Sequence, residues 1–599
     1  MKIGVKENLI KAGYVLLAVL STMALNCRWS FLGGSEGGFV LNFLQKFGIS
    51  FQGVDFADIV TVIALSFFYL RFLKGSAFDL PALILSSILS VLYILCVQYR
   101  DFNSTSYLFG SKFSILFFVL GTVGYSALLY SVFIFLKSRT VAYKEGSDTK
   151  NGVLSRFFWP ISWAFLMICY LPWLILNYPG SGMPDTIVQF QNYLGDRPWS
   201  MWQPPFSSLI MGWCYSVGRA LVDGSFGFFL YALLQTVAAA GIFSYAINRV
   251  RKMGASLKIC IPAILFYGLV PMWGAYAQWV EKDFLFASVG TLFTVYVAEV
   301  LSEGRLSVKA VIKLAVSGLL CVFLRNNGIF AVIPALFVLF FYVSKKAKVG
   351  VAVILLSIFT VYEGVTRILF PAVGVDGTSV SETIGFMFQQ TARYVNTYPD
   401  ELSPEEEAVL AQNFQSMENF KEYDPQFIDP IKRFYNHSAP KEYFALWFRQ
   451  LIKHPGVYVG SYLNGAFGYL APVAADAGAW IMTDYSGYLK DRMGVEHKGS
   501  EAGPDILIAL RNPSERQIFI RYFTYPGLYT WCLVFLLYLL GKGKKKGAWV
   551  PFVPALMTLF VCTVSPLACA MRYALLAAAS APVLAGWTAA VLRKAPEAE

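Results

Sequence analysis

Four short stretches carry the charged and amide side chains best placed to do chemistry. The first is Tyr178-Pro-Gly-Ser-Gly-Met-Pro-Asp185-Thr-Ile-Val-Gln189, which continues through Gly195-Asp196-Arg197 to Gln203-Pro-Pro-Phe206. Its proline and glycine content predicts a non-helical exit from the apolar segment before it. That exit would hold Asp185 just above a bilayer, where a carboxylate can act as general base toward a hydroxyl acceptor. The plainer reading makes Asp185 the N-cap of a helix beginning at Thr186. The second stretch is Gln278-Trp-Val-Glu281-Lys282-Asp283, at the start of another apolar segment. Lys282 could neutralise a phosphate, and Asp283 could position Lys282 or a substrate hydroxyl. A solvated helix end with snorkelling charge would look the same.

The third stretch, Arg325-Asn326-Asn327-Gly328, separates two short apolar segments. An arginine beside two amides suits an anionic ligand, and it also suits a polar turn. The fourth is Arg572-Tyr573, opening the last apolar segment. It reads either as a phosphate partner or as an aromatic-belt anchor. The three histidines, His437, His454 and His497, lack ligand spacing such as HExxH. No metal site and no cofactor is expected from these residues, although a divalent metal stays open.

These groups need elements to hold them. A spanning helix takes about 20 predominantly apolar residues. About fourteen segments qualify by hydropathy: 9–27, 56–73, 79–98, 113–136, 157–177, 226–247, 259–277, 284–302, 309–324, 328–343, 349–370, 521–540, 550–567 and 573–592. With fourteen spans the basic clusters fall on one side. They are Lys2, Lys6 and Lys11; Arg71 and Lys74; Lys137, Arg139, Lys144, Lys150 and Arg156; Arg249, Arg251, Lys252 and Lys258; Arg305, Lys309 and Lys313; Lys345, Lys346 and Lys348; Lys542, Lys544, Lys545 and Lys546; and Arg593 and Lys594. The excess of Lys and Arg in cytoplasmic loops then makes both termini cytoplasmic and the first helix a retained one. Residues 205–222 are apolar enough to span. Counting them would invert everything after them, so they read as an amphipathic helix on the outer surface.

The domain division follows: a four-helix membrane region at 1–150, a membrane core at 151–370 with its first outer loop at 178–225, an outer loop or small helical domain at 371–520, and C-terminal membrane helices at 521–599. Within 371–520, Ser403 reads as an N-cap, Pro404 as the first helical residue and Glu405–Glu407 as first-turn carboxylates. Residues 403–453 are expected to be helical.

Composition agrees with this. The 599 residues are 56% hydrophobic and only 14% charged, too few polar groups to cover several soluble domains. A soluble enzyme, a disordered regulator and a fibrous repeat are all disfavoured. The net charge of +12 falls largely in the one-sided basic clusters and so does not point to nucleic acid. The nine cysteines lie mostly in apolar stretches and read as small buried hydrophobes. The fold class expected is an all-α polytopic membrane protein with outer surface helices.

The order of the motifs resembles the GT-C superfamily of membrane glycosyltransferases, which includes protein O-mannosyltransferases and the enzymes that transfer aminoarabinose to lipid A. Within it the chain is similar to a bacterial group carrying Tyr-Pro-Gly, Asp, Gln, Pro-Pro, Lys-Asp and Arg-Asn-Asn-Gly in that order. Here these are Tyr178-Pro179-Gly180, Asp185, Gln189, Pro204-Pro205, Lys282-Asp283 and Arg325-Asn326-Asn327-Gly328. Gln389-Gln390 with Ala392-Arg393, the acidic Ser403–Glu407 segment and Arg572-Tyr573 also fit. The likeness covers about 157–592 and leaves out the first four helices. Gln203 stands where the group has a histidine before Pro-Pro, and glutamine can hydrogen-bond but cannot titrate near neutral pH.

The resemblance implies inverting transfer of a sugar from a polyprenyl-phosphate donor to an acceptor hydroxyl on a cell-envelope glycan, lipid or protein. The place would be the outer face of a bacterial cytoplasmic membrane. Asp185 would be the catalytic base. Gln189, Gln203, Lys282, Asp283, Arg325, Asn326, Asn327, Arg572 and Tyr573 would bind substrate, with the three cations stabilising the leaving phosphate. The rival classes are a transporter or flippase of a lipid-linked glycan or other anion, and a non-catalytic assembly or receptor protein. Broken helices with charge at mid-membrane would favour transport.

Overall fold

The computed structural model describes residues 2–27, 56–74, 76–144, 156–377, 381–473, 487–500, 522–541, 545–565 and 567–594, with positions 40–41, 44–45, 502–503, 505–506 and 543 between them. Lys150, Lys542, Lys544 and the proposed boundaries at 150 and 520 lie outside the described residues. The described chain is all helix, joined by turns and a few isolated bridges. It is a multi-pass integral membrane protein.

Each of the fourteen expected segments contains a helix, but fewer are long enough to span. Among the described residues eight helices have the length and apolarity to cross: Asn8–Asn26, Leu80–Phe102, Lys112–Arg139, Phe158–Leu176, Gly224–Met253, Lys282–Glu303, Lys345–Ala372 and Met571–Arg593. A ninth is a pair, Leu257–Leu269 and Pro271–Ala277, bent by 57°. Pro271 lacks the N–H that would continue the first helix, so a second one starts there. The 259–277 segment is therefore broken rather than straight. The count of fourteen is not confirmed, and one reason is that hydropathy does not register caps. Val308–Leu324 has 17 residues between Ser307 and Arg325. Gly328–Tyr342 and Pro526–Leu540 have 15 each. Fifteen residues rise about 22 Å, short of a hydrocarbon core of about 30 Å. Phe56–Phe72 has 17 described residues, and Pro551 and Pro554 stand in the 3₁₀ turn and the first turn of the ten-residue helix Val553–Cys562 that make up the helical part of the 550–567 segment.

Burial identifies the centre of the bundle. The apolar windows of Lys282–Glu303 and Met571–Arg593 are 83% and 89% buried, against 22% for Phe158–Leu176, so the first two are core helices and the third is peripheral. The core tolerates hydroxyls because Ser288, Thr291 and Thr294 donate back to the carbonyls of Phe284, Ala287 and Gly290 at 2.8, 2.8 and 2.9 Å. Pro205–Leu221 forms the expected helix. It buries Met211, Cys214 and Tyr215 against the apolar cluster of Phe228 and Tyr231, and exposes Leu209, Trp213 and Leu221.

The N-terminal helices dock on this core at both ends of Leu80–Phe102. Buried Asp79 caps that helix and accepts hydrogen bonds from Lys137 at 2.6 Å and Tyr538 at 2.7 Å. At the other end Arg393 donates to the Asn103 carbonyl at 2.8 Å.

The helices expected within 403–453 are present, packed with Ser381–Thr397 around Phe388, Leu410, Phe414 and Tyr443. Ser403 and Glu406 form a reciprocal capping box at 3.3 and 3.4 Å, and Pro404 is the first helical residue. Ser403→Ala is expected to cost this helix about 1 kcal/mol. Amides of Pro404–Phe414 should then exchange roughly fivefold faster in hydrogen–deuterium exchange.

Six of the nine cysteines are buried and three half-buried.

Candidate functional site

Asp185 sits on Pro184–Leu194, an 11-residue helix whose entry is fixed from outside. Gly180 has φ +118°, and a Cβ there would lie 2.7 Å from the Gln278 carbonyl oxygen, so only glycine lets the two strands of loop approach. Ser181 N–H donates to Gln278 Oε1 at 2.8 Å, and Val280 N–H donates to the Ser181 carbonyl at 2.9 Å. Thr186 Oγ1 donates to the Val280 carbonyl at 2.8 Å. These bonds lock 180–186 onto 278–280.

Met183 is the N-cap residue and Thr186 closes the box on it, so Asp185 is not the cap. Its carboxylate reaches across the bundle instead. Asp185 Oδ2 is 2.7 Å from Arg572 Nη1 and 4.0 Å from Lys282 Nζ.

Glu281 caps Lys282–Glu303 and accepts the Asp283 N–H at 2.7 Å. Its other oxygen pairs with Lys282 Nζ. Glu281 and Asp283 are both 1% exposed. Arg325 follows Val308–Leu324 and holds Asp283 at 2.9 Å. The Arg325 guanidinium also lies 5.1 Å from the Tyr573 ring centroid and 5.7 Å from that of Phe286. Arg572 donates to the Tyr573 hydroxyl at 2.8 Å. Six charged groups, separated by up to 387 residues between Asp185 and Arg572, thus meet at one end of the two core helices.

The arrangement is a set of matched pairs: Arg572 with Asp185, Lys282 with Glu281, Arg325 with Asp283. The positive ends of three helices, Pro184–Leu194, Lys282–Glu303 and Met571–Lys594, open toward it and favour negative charge there. Burial pushes the Asp185 carboxyl up, but Arg572, Lys282 and Arg325 more than offset it and hold it below the usual carboxylate range. Burial, followed by the Asp283 carboxylate, pushes Glu281 up to about 7 against the pull of Lys282. An anion entering here would compete with carboxylates for cations already engaged. Asp185 becomes a stronger base whenever Arg572 is drawn away.

Asp185, Lys282, Asp283, Arg325, Arg572 and Tyr573 are brought together as a group. The other expected substrate residues make different contacts. Gln189 donates to Ser207 at 3.0 Å, tying Pro184–Leu194 to Pro205–Leu221. Asn326 donates to the Met201 carbonyl at 2.6 Å and so holds the loop before Gln203. Asn327 caps Gly328–Tyr342 through its backbone. Gln203 is 4% exposed, and its buried Oε1 accepts no hydrogen bond from the described residues. Sequence reasoning assigned no role to Glu281. The signal was available: a carboxylate directly before Lys282, at the mouth of an apolar segment, needs a partner if it is buried.

A second cluster lies at the far end of Lys282–Glu303, where Glu299 pairs with Arg249 and with Lys313 at 3.2 Å. Lys282 and Glu299 are 17 positions apart, about 26 Å along the helix. The ionised side chains of this helix therefore sit near its ends rather than at its midpoint. His454 stacks on Tyr398 and pairs with Glu401, and His497 bonds the Ser500 carbonyl, so neither reaches the Asp185 cluster. Among the described residues no three His, Cys, Asp or Glu side chains form a metal-holding group.

A family of unknown function, DUF6020, matches residues 203–599. This is two thirds of the 599 residues, and the chain belongs to that family. The match takes in Lys282, Asp283, Arg325 and Arg572 and begins after Asp185, later than the start near 157 implied by the resemblance. No curated protein and no solved structure matches the chain.

Proposed function

We propose that this family member transfers a sugar from a polyprenyl-phosphate donor to an acceptor hydroxyl at the membrane surface. The observation that carries the reading is the meeting of Asp185 with Lys282, Arg325 and Arg572 at one end of the core helices. A lipid-linked phosphate would reach that level from the bilayer with its tail among the helices. Arg249 and Lys313 sit at the opposite end of Lys282–Glu303; if basic residues mark the cytoplasmic side, the Asp185 end would face outward, on the outer face of a bacterial cytoplasmic membrane.

In the reaction the donor phosphate draws Arg572 away from Asp185. Asp185 then takes the proton of the acceptor hydroxyl. The hydroxyl oxygen attacks the anomeric carbon from the face opposite the phosphate. The bond from that carbon to the phosphate oxygen breaks, and the electron pair leaves with the phosphate, whose charge Lys282 and Arg325 stabilise. One inversion at the sugar carbon results. The acceptor would be a cell-envelope glycan, lipid or protein.

Transport of a lipid-linked anion is the second reading, favoured by the bent pair that ends beside Gln278. Proteoliposomes separate the two. A transferase moves label from a polyprenyl-phosphate sugar onto an acceptor, whereas a transporter moves the intact carrier between leaflets. Lys282→Gln is expected to weaken binding of a polyprenyl phosphate about 10- to 100-fold, the loss of one charge-assisted hydrogen bond. Unchanged affinity in nanodiscs would remove Lys282 from the phosphate site.

A further inference from the structure

The Asp185 cluster holds three carboxylates and three cations, paired one to one. An anion bound there adds a negative charge to a buried set that is already balanced. In low dielectric such an excess is costly unless a positive charge arrives with it. A proton on one carboxylate is the smallest compensation, and the three carboxylates are not equally placed to accept it.

Asp185 faces Arg572 directly and Lys282 at 4.0 Å. Asp283 keeps Arg325 at 2.9 Å. Glu281 is 1% exposed and shares its ammonium, that of Lys282, with Asp185. The groups that face Glu281 are Lys282 and Asp283 beside it, Asp185 from Pro184–Leu194 and Arg572 from Met571–Lys594. The Tyr276 hydroxyl faces it from Pro271–Ala277, and Tyr231 of Gly224–Met253 donates to its carbonyl at 3.1 Å. When an anion takes Lys282, Glu281 is left between two carboxylates in a buried site. Resting on the phosphate reading of this site, we infer that anion binding at the cluster is coupled to uptake of one proton from solvent by Glu281.

The sign follows from the free protein, in which Glu281 titrates at about 7. Below that pH Glu281 is already protonated and the affinity is flat. Above it, each binding event takes up a proton, and Kd rises about tenfold per pH unit until the proton is no longer taken up.

The probe must not titrate itself, so it is farnesyl methyl phosphate, a phosphodiester with one fixed negative charge. Full-length protein in nanodiscs is titrated with it calorimetrically between pH 6 and 9, in buffers of different ionisation enthalpy. The expected result is uptake approaching one proton at pH 8 for the natural chain. Glu281→Gln should take up none and keep the tight, low-pH affinity throughout. Asp185→Asn should still take up the proton, which locates it on Glu281. Binding by the natural chain without proton uptake overturns the inference and leaves the phosphate reading standing. Uptake that survives in Glu281→Gln and vanishes in Asp185→Asn overturns it as well. No binding by the natural chain at any pH overturns the phosphate reading and takes the inference with it.

Discussion

Asp185→Asn is expected to lower sugar transfer by about two to four orders of magnitude, the range a positioned general base contributes. Asparagine keeps the shape and an oxygen that can still accept from Arg572, so the entry to Pro184–Leu194, held by Ser181, Thr186 and Val280, should be undisturbed. The charge and the capacity to take a proton are lost. The two kinetic constants should therefore move differently. On the proposed transfer the donor phosphate would compete in the natural chain with Asp185 for Arg572, which lies 2.7 Å from it. Without that competitor, donor affinity should hold or improve while kcat collapses. A general loosening of the site would raise KM and lower kcat together. The measurement is label transfer from a polyprenyl-phosphate sugar in membranes, with donor affinity determined separately. Normal transfer by a well-folded variant would sink the assignment of Asp185 as base.

That expectation begins from residues visible in the sequence, and the reason they are visible is physical. Asp185, Lys282, Arg325 and Arg572 stand at the ends of apolar segments, where an ionised group is costly unless it finds a partner. Such groups therefore find one another, and the fold brings all four together. The pairing was not legible. Arg572 chooses Asp185 from 387 positions away, and no local pattern encodes that choice. Nor did spacing separate Asp185 the ion-pair partner from Asp185 the cap; the difference is two residues of helix start, set by Pro184 and Thr186. Gln189 enters the substrate set through the order of motifs in the resemblance, and nothing local to it encodes its bond to Ser207 on the neighbouring helix.

The membrane frame was legible at the level of helices and less so at the level of spans. Hydropathy located apolar segments correctly but does not register Ser307, Pro271, Pro526 or Pro551, which start, bend or shorten helices inside them. Five of the fourteen segments hold helices short of a bilayer's thickness, and Ser307, Pro526 and Pro551 account for three of them. Residues 205–222 do form one helix, Pro205–Leu221; reading it as a surface helix draws on the charge balance of the whole chain, which a local hydropathy window cannot supply.

Removing the other half of the central pair should have the largest structural effect. Arg572→Gln leaves the Asp185 carboxylate, about one-fifth exposed, without its nearest cation. Breaking a buried pair from one side typically costs about 3–5 kcal/mol, because an uncompensated charge remains. A clear drop in thermal unfolding temperature in detergent is expected. The double variant Asp185→Asn/Arg572→Gln removes the stranded charge along with its partner, and two amides can hydrogen-bond across the same gap. It should recover most of the lost stability. Transfer should stay lost in the single and the double variants alike, because neither restores a base or a phosphate-binding guanidinium. Stability and activity are thereby separated on one pair of residues. If the double variant regained transfer together with stability, Asp185 and Arg572 would be a structural lock and the chemistry would have to lie elsewhere. If Arg572→Gln were as stable as the natural chain, the lock would be absent, and Lys282 at 4.0 Å would be sufficient to neutralise Asp185.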